Sequence, residues 1–174
     1  MTERDAARLV LLRHAKSAWP DVADHERPLA PRGRRDAPAA GRLLSELKYV
    51  PDLVICSTAR RARETWELAA GELGAQVPVR HDERVYGADP AELIDVLREL
   101  PAEVATALLV GHNPGMEDLA GALSGEAEGD ALARMTEKFP TSAFAVLDFH
   151  GGWPALAPGA ARLRAFVVAR GSKK

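Results

Sequence analysis

The sequence predicts an α/β fold around a mostly parallel central sheet, and three observations carry that expectation. Short apolar runs alternate with stretches of helical periodicity, the order expected of βα units. The first run, "RLVLLR", does not alternate apolar with polar residues, so both faces of its strand are expected to be buried. Polar residues then collect just beyond three of the runs, as "RH", "CSTARRA" and "GHNPG". Parallel sheets of this kind keep functional groups beyond the carboxyl ends of their strands.

Taken in order, Arg8 to Arg13 reads as the first strand. Ala37, Ala40, Gly41, Leu44 and Leu47 then suggest a helix after Pro31, with Pro38 inside it. An interior proline removes a hydrogen bond and clashes with the preceding turn. The helix is therefore expected either to start near Asp36 or to kink at Pro38. "DLVICS", from Asp52, is the next strand. Ala62, Trp66, Ala69 and Leu73 recur at helical spacing, with Ser57 or Thr58 placed as the cap. "DPAE", Asp89 to Glu92, has the N-cap, N1-proline and N3-glutamate order of a helix start. Leu93, Val96, Leu97 and Leu100 supply its apolar face. "TALLVG", from Thr106, is a strand, and Asn113-Pro114 opens a helix with Met116, Leu119, Ala120 and Leu123 inward. "SAFAVLDFH" and "RLRAFVV" read as two further strands.

Length and composition narrow the class. A chain of 174 residues fits one domain, residues 1–174, with a substantial core. An apolar content of 47% and a formal charge of −2 describe an ordinary globular protein, with no basic excess to suggest a nucleic-acid partner. No apolar run reaches membrane-spanning length, and "MTERDAAR" lacks the apolar core of a signal peptide. The single cysteine, Cys56, fits a reducing cytoplasm.

The polar strand ends suit phosphoryl chemistry. Arginine's planar fork matches phosphoryl oxygens, so Arg13 and Arg61 are candidates to hold the group from two sides. A neutral His14 can attack phosphorus in line and form a phosphohistidine, and nearby cations keep it unprotonated. His112 can donate to oxygens that gain charge during transfer. Backbone N–H groups after Ser57 or Asn113, at helix starts, are further anion donors. Ser17, in the loop after His14, is an additional candidate phosphate ligand. Each residue alone also has a plain structural reading, as a strand-end arginine, a core histidine or a helix cap; their convergence favours a site. His25, His81 and His150 have no such context and read as surface or structural, and Arg60 and Arg63 are expected to face solvent.

Competing motifs fail on spacing. The sixth residue after Cys56 is Ala62, where a cysteine-dependent phosphatase loop needs arginine, so Cys56 reads as a small core residue. "GHNPG" has the glycines of a nucleophile elbow around an asparagine. No GxxxxGK[ST], HExxH or paired His/Cys spacing is present, so neither metal nor cofactor is expected.

On these residues the sequence resembles the histidine phosphatase superfamily. "LLRHAKSAW" looks like its Arg-His signature, in the form found in small bacterial phosphohistidine phosphatases. "RPLAPRGRRDA" is similar to the segment opening the family's first helix. "CSTARRARET" fits its S-x-x-x-R-A-x-x-T pattern, which assigns the second phosphate arginine to Arg61, not Arg60. "LLVGHNPGMEDLA" looks like the segment of the second catalytic histidine, His112. The resemblance implies a phosphoglycerate mutase-like three-layer α/β/α sandwich and a metal-independent phosphatase working through phospho-His14. It also implies a protein phosphohistidine as substrate. Ala15, Lys16 and Pro20 depart from the mutase pattern, and the chain leaves little room for helical insertions over the pocket. Glu83, in "DERVYGA", resembles the mutase-branch proton donor and reads equally as a solvated loop carboxylate. Two alternatives stand beside the favoured one: a broad phosphomonoesterase for small sugar or nucleotide phosphates, and a non-catalytic phospho-binding module.

Overall fold

Strand β1 (Ala6–Arg13) sits mid-sheet in the computed structural model, which describes residues 6–172. The other strands are β2 (Leu53–Cys56), β3 (Val79–His81), β4 (Thr106–Gly111), β5 (Ser124–Ala127), β6 (Ala143–His150) and β7 (Ala161–Val168). They form one seven-stranded sheet in the order β3-β2-β4-β1-β6-β7-β5. The β1/β4, β2/β4, β2/β3 and β5/β7 pairings are parallel, whereas β6 runs antiparallel to both β1 and β7.

The uninterrupted apolar run of β1 has the expected consequence. Leu9 and Leu11 enter one core and Val10 and Leu12 another, and all four are fully buried. Helices α1 (Pro31–Glu46) and α2 (Arg60–Ala70) cover the face carrying Val10 and Leu12, through Ala40, Leu44, Ala62, Trp66 and Ala69. Helices α3 (Pro90–Arg98), α4 (Gly115–Leu123) and α5 (Ala131–Glu137) cover the opposite face, through Leu93, Leu97, Met116, Leu119 and Met135. The result is a three-layer α/β/α sandwich. Asp89 starts α3 with the predicted reciprocal cap: its side chain accepts from the Glu92 N–H at 2.9 Å, and Glu92 accepts from the Asp89 N–H at 3.2 Å.

Several boundaries differ from the sequence reading. Helix α1 starts at Pro31 and runs through Pro38. Contacts on both sides outweigh the lost hydrogen bond. Buried Asp36 accepts from Arg32 and the Gly171 N–H, Ala37 packs with Ala15 and Leu29, and Ala39 and Ala40 enter the core. Neither Ser57 nor Thr58 caps α2; Ala59 stands at that position without a side-chain bond. Strands β3 and β5 and helix α5 had no sequence signal. Strands β3 and β5 are short edge strands with few apolar residues, and the two turns of α5 are too short to show a helical period.

Gly41 lets α1 approach α2: a Cβ there would lie 2.1 Å from the Ala69 carbonyl oxygen. Gly121, in α4, has nothing within 4 Å of such a Cβ. Gly41→Ala should therefore destabilise the fold by roughly 1–3 kcal/mol, an overpacking cost. Gly121→Ala should stabilise it by up to about 1 kcal/mol through helix propensity. Urea unfolding of both variants measures the contrast, and equal effects would contradict the close approach.

Candidate active site

Parallel pairing of β1 with β4 brings two of the polar strand ends side by side. The ladder aligns Arg13 with Gly111, and one residue further on the His14 N–H donates to the Gly111 carbonyl at 3.0 Å. His112, the next residue after Gly111, consequently faces His14, with ring centroids 5.2 Å apart. Strand β2, beside β4, delivers Ser57 to the same place, and the Ser57 N–H donates to the Val110 carbonyl.

The hydrogen bond made by His14 determines its chemistry. Its Nδ1 lies 2.7 Å from the Ala15 carbonyl oxygen, which only accepts, so Nδ1 carries the proton. In a neutral ring, Nε2 is then left with a free lone pair. Burial, reinforced by His112, Arg61 and Arg13, lowers the His14 pKa to about 3. Burial and the neighbouring arginines likewise lower that of His112 to about 4. Both imidazoles are neutral at neutral pH, as a nucleophile beside cations requires.

The Ser and Thr of the S-x-x-x-R-A-x-x-T pattern both have physical roles here. Ser57 Oγ pairs with His112 Nε2 at 2.7 Å and accepts from the Ala59 N–H, which leaves it no capping role. The Thr65 hydroxyl accepts from the Ala15 N–H at 2.9 Å and donates to the Arg61 carbonyl at 2.7 Å. One hydroxyl therefore fixes the loop after His14 to the helical turn that carries Arg61. Arg13 donates to the Phe139 carbonyl at 2.9 Å, and Asn113 Nδ2 donates to the same oxygen at 3.1 Å. Asn113 Oδ1 meanwhile accepts from the Glu117 N–H, so it serves the start of α4 as expected. Arg13 Nε and His112 Nδ1 are buried without a hydrogen-bond partner among the described residues.

Other candidates fall where their local partners take them. Arg60 is exposed and bonds Glu64 at 3.3 Å, while Arg63 turns back to the Thr58 carbonyl at 2.9 Å. Cys56 is buried, and burial pushes its thiol up to about 12, consistent with a core residue. Buried Ser17 accepts from Arg27 Nη2. Glu83 is exposed at the start of a 3-10 turn, Glu83–Val85, which places Tyr86 over the site.

Asp24, Arg27, Tyr86 and His25 had escaped the sequence reading. Arg61 donates to the Asp24 carbonyl at 2.7 Å and to its carboxylate at 3.1 Å. Arg27 and the Tyr86 hydroxyl bond the same carboxylate. These three donors, Tyr86 foremost, hold Asp24 well below the usual carboxylate range. Tyr86 stands edge-on to His112 at 5.5 Å and to His25 at 5.1 Å, and His25 pairs with Thr58 at 2.9 Å. His25 is thus part of the rim and not an unrelated surface histidine. A cleft of about 260 Å³ opens beside His112, between Ala88, Leu93 and Met116. Among the described residues, no group of three His, Cys, Asp or Glu side chains could hold a metal ion.

With this geometry in view, comparison with known proteins gives a consistent picture. The family model of the histidine phosphatase superfamily (branch 1) matches residues 9–139. An uncharacterised Mycobacterium tuberculosis protein is 46% identical over 162 residues, covering 91% of this chain and 100% of its own. Among solved structures, SixA of Nakamurella multipartitia, a candidate phosphohistidine phosphatase, superposes with a TM-score of 0.83 at 34% identity. That match covers 93% of this chain and 95% of the other. SixA of Agrobacterium tumefaciens, another such candidate, gives 0.77 at 34% identity, over 92% and 97% of the two chains. From the Arg13-His14 strand end to the Phe139 carbonyl that receives Arg13, this chain belongs to the histidine phosphatase superfamily.

Proposed function

We propose that the protein removes phosphate from phosphohistidine on another protein, through a covalent phospho-His14 intermediate. The free Nε2 lone pair of a buried, neutral His14 beside Arg13, Arg61 and His112 carries this reading. A phosphoryl group among these side chains meets two arginines and the unpartnered Nδ1 of His112. Nε2 forms a bond to phosphorus as the bond to the leaving atom breaks, its electron pair staying on that atom. Water then attacks phosphorus, breaks the His14–phosphorus bond and passes its proton to solvent as phosphate leaves. His112, oriented by Ser57, donates to the oxygens that gain charge.

The setting of the site supports a protein substrate. The β2–α2 and β4–α4 connections span only residues 57–59 and 112–114, too short to fold over the pocket. Tyr86, beside His112, and Trp19, over Arg27, have relative exposures of 36% and 77%. A phosphohistidine standing on a broad partner surface can reach such a mouth. The two solved relatives described as candidate phosphohistidine phosphatases favour the same class. Side-by-side kcat/KM values for a phosphohistidine protein and for small sugar and nucleotide phosphates test the choice. A preference for the small esters would replace this substrate with the broad monoesterase reading. Absence of turnover on every substrate would leave a phospho-binding module.

Rapid quenching with labelled substrate should reveal acid-labile, alkali-stable phosphate on His14. Because His14 stays neutral down to about pH 3, the label at pH 5 should match that at pH 7. Near-normal turnover by His14→Ala, or a label that halves near pH 6.5, would refute this nucleophile.

Arg61→Ala should lose at least about a hundredfold in rate, roughly 3 kcal/mol of transition-state stabilisation. Arg60→Ala, which removes an exposed helix-surface pair, should be close to wild type. Comparable losses in steady-state assays would misplace the phosphate site.

Glu83 is proposed as the proton donor for ester substrates. An alkoxide leaving group needs a proton, while imidazole, whose conjugate acid has a pKa of about 6.5, leaves with little help. Glu83→Gln should therefore slow alkyl phosphate hydrolysis on the order of 10²–10⁴-fold and phosphohistidine hydrolysis far less. Equal losses would defeat the leaving-group argument, and no loss on either would make Glu83 a solvated loop residue.

A further inference from the structure

In-line transfer fixes where the leaving group stands. Attack comes from His14 Nε2 at the buried floor of the site, so the leaving atom lies opposite, towards the mouth. The charged groups that hydrogen bonds tie together at that mouth are Asp24, Arg61 and Arg27, with Tyr86 and His25 beside them and Glu83 exposed three residues before Tyr86. Arg61 belongs to the phosphoryl group in the reading above. Arg27 is buried, and the Trp19 ring covers its guanidinium at 3.3 Å from the ring centroid. The Asp24 side chain, by contrast, is 51% exposed and anchored by three donors. Once phosphate oxygens match Arg13 and Arg61, the uncovered charge that hydrogen bonds hold fixed at the mouth is therefore the Asp24 carboxylate.

We propose that Asp24 is a specificity-determining residue that favours leaving groups bearing positive charge and disfavours those bearing negative charge. The inference rests on the phosphoryl-transfer reading of the site and deepens it by naming the substrate's charge class. A phosphohistidine protonated on its free ring nitrogen fits that class. It brings a cation to Asp24, and the electron pair of the breaking P–N bond converts it to neutral imidazole, which departs with that ring proton. A leaving group carrying its own carboxylate or second phosphate meets repulsion instead. Arg27 and Tyr86 act through Asp24, by holding its carboxylate in place.

The test uses three small esters that differ in leaving-group charge: phosphoethanolamine, glycerol phosphate and 3-phosphoglycerate. In the wild-type protein, kcat/KM should fall in that order by about tenfold in all, as expected for partly screened charges at short range. Asp24→Asn should compress the series to within about twofold, and Asp24→Glu should retain it. Raising salt from about 0.02 M to about 0.5 M should flatten the wild-type series as the Debye length shrinks, a measurement that needs no variant. A flat or reversed wild-type series overturns the proposal, as does a series that Asp24→Asn or salt leaves unchanged. Only esters are compared, so the phosphohistidine reading can fail by its own assay while the effect of Asp24 stands, and the reverse.

Discussion

The hydrogen bond from His14 Nδ1 to the Ala15 carbonyl is the contact on which the rest of the site depends. It assigns the ring proton to one nitrogen and leaves the other with its lone pair. That bond needs the backbone at Ala15 to turn sharply at the end of β1. The turn is held by the Ala15 N–H on Thr65, by the His14 N–H on Gly111, and by the Ser142 N–H on the Arg13 and His14 carbonyls. The Thr65 hydroxyl and main-chain groups of Gly111 and Ser142 thus converge on the backbone around one imidazole. Flipping the ring would leave its N–H unsatisfied and turn a carbon towards the carbonyl, and moving the proton to Nε2 would set a lone pair against that oxygen, so the tautomer is secured by cost as well as by gain.

Electrostatics around this ring follow a division by depth. Two neutral imidazoles lie at the bottom, cations surround them, and the Asp24 carboxylate stands at the opening. The low-lying pKa of His14 is first a matter of burial and only then of neighbouring charge. Removing any one arginine would therefore not by itself return it to a protonated ring. Arg61 needs a counterion in the folded protein to offset its burial, and Asp24 supplies one without closing the pocket.

The four residues at the strand ends were legible because β1, β2 and β4 announce themselves as apolar runs and parallel topology brings their ends together. Burial on both faces of β1 was equally legible, since Leu9 to Leu12 leave no polar face. The spacing of Ser57, Arg61 and Thr65 was visible as a pattern, but the reason for the serine and threonine was not. Their partners, His112 and Ala15, lie about 50 residues away in sequence. Asp24 and Tyr86 were illegible for the same reason, being 62 residues apart and in loops without periodicity. Pro38 left the start of α1 open between Pro31 and Asp36, because local propensity ignores the packing and ion pairs that hold the helix on both sides of it.

The antiparallel seat of β6 beside β1 has a consequence for how the molecule comes into being on the ribosome. A nascent chain that has reached Phe139 already carries Arg13, His14, Arg61 and His112, yet one whole edge of its central strand is unpaired. Val146 and Leu147, which must lie against Val10 and Leu9, are still to be made. Sheet closure joins some of the most distant parts of the sequence, so loop-closure entropy weighs against early assembly. The end of the sheet that carries the proposed active site is consequently completed late in synthesis, and a growing chain passes through a stage that holds these four side chains without their scaffold.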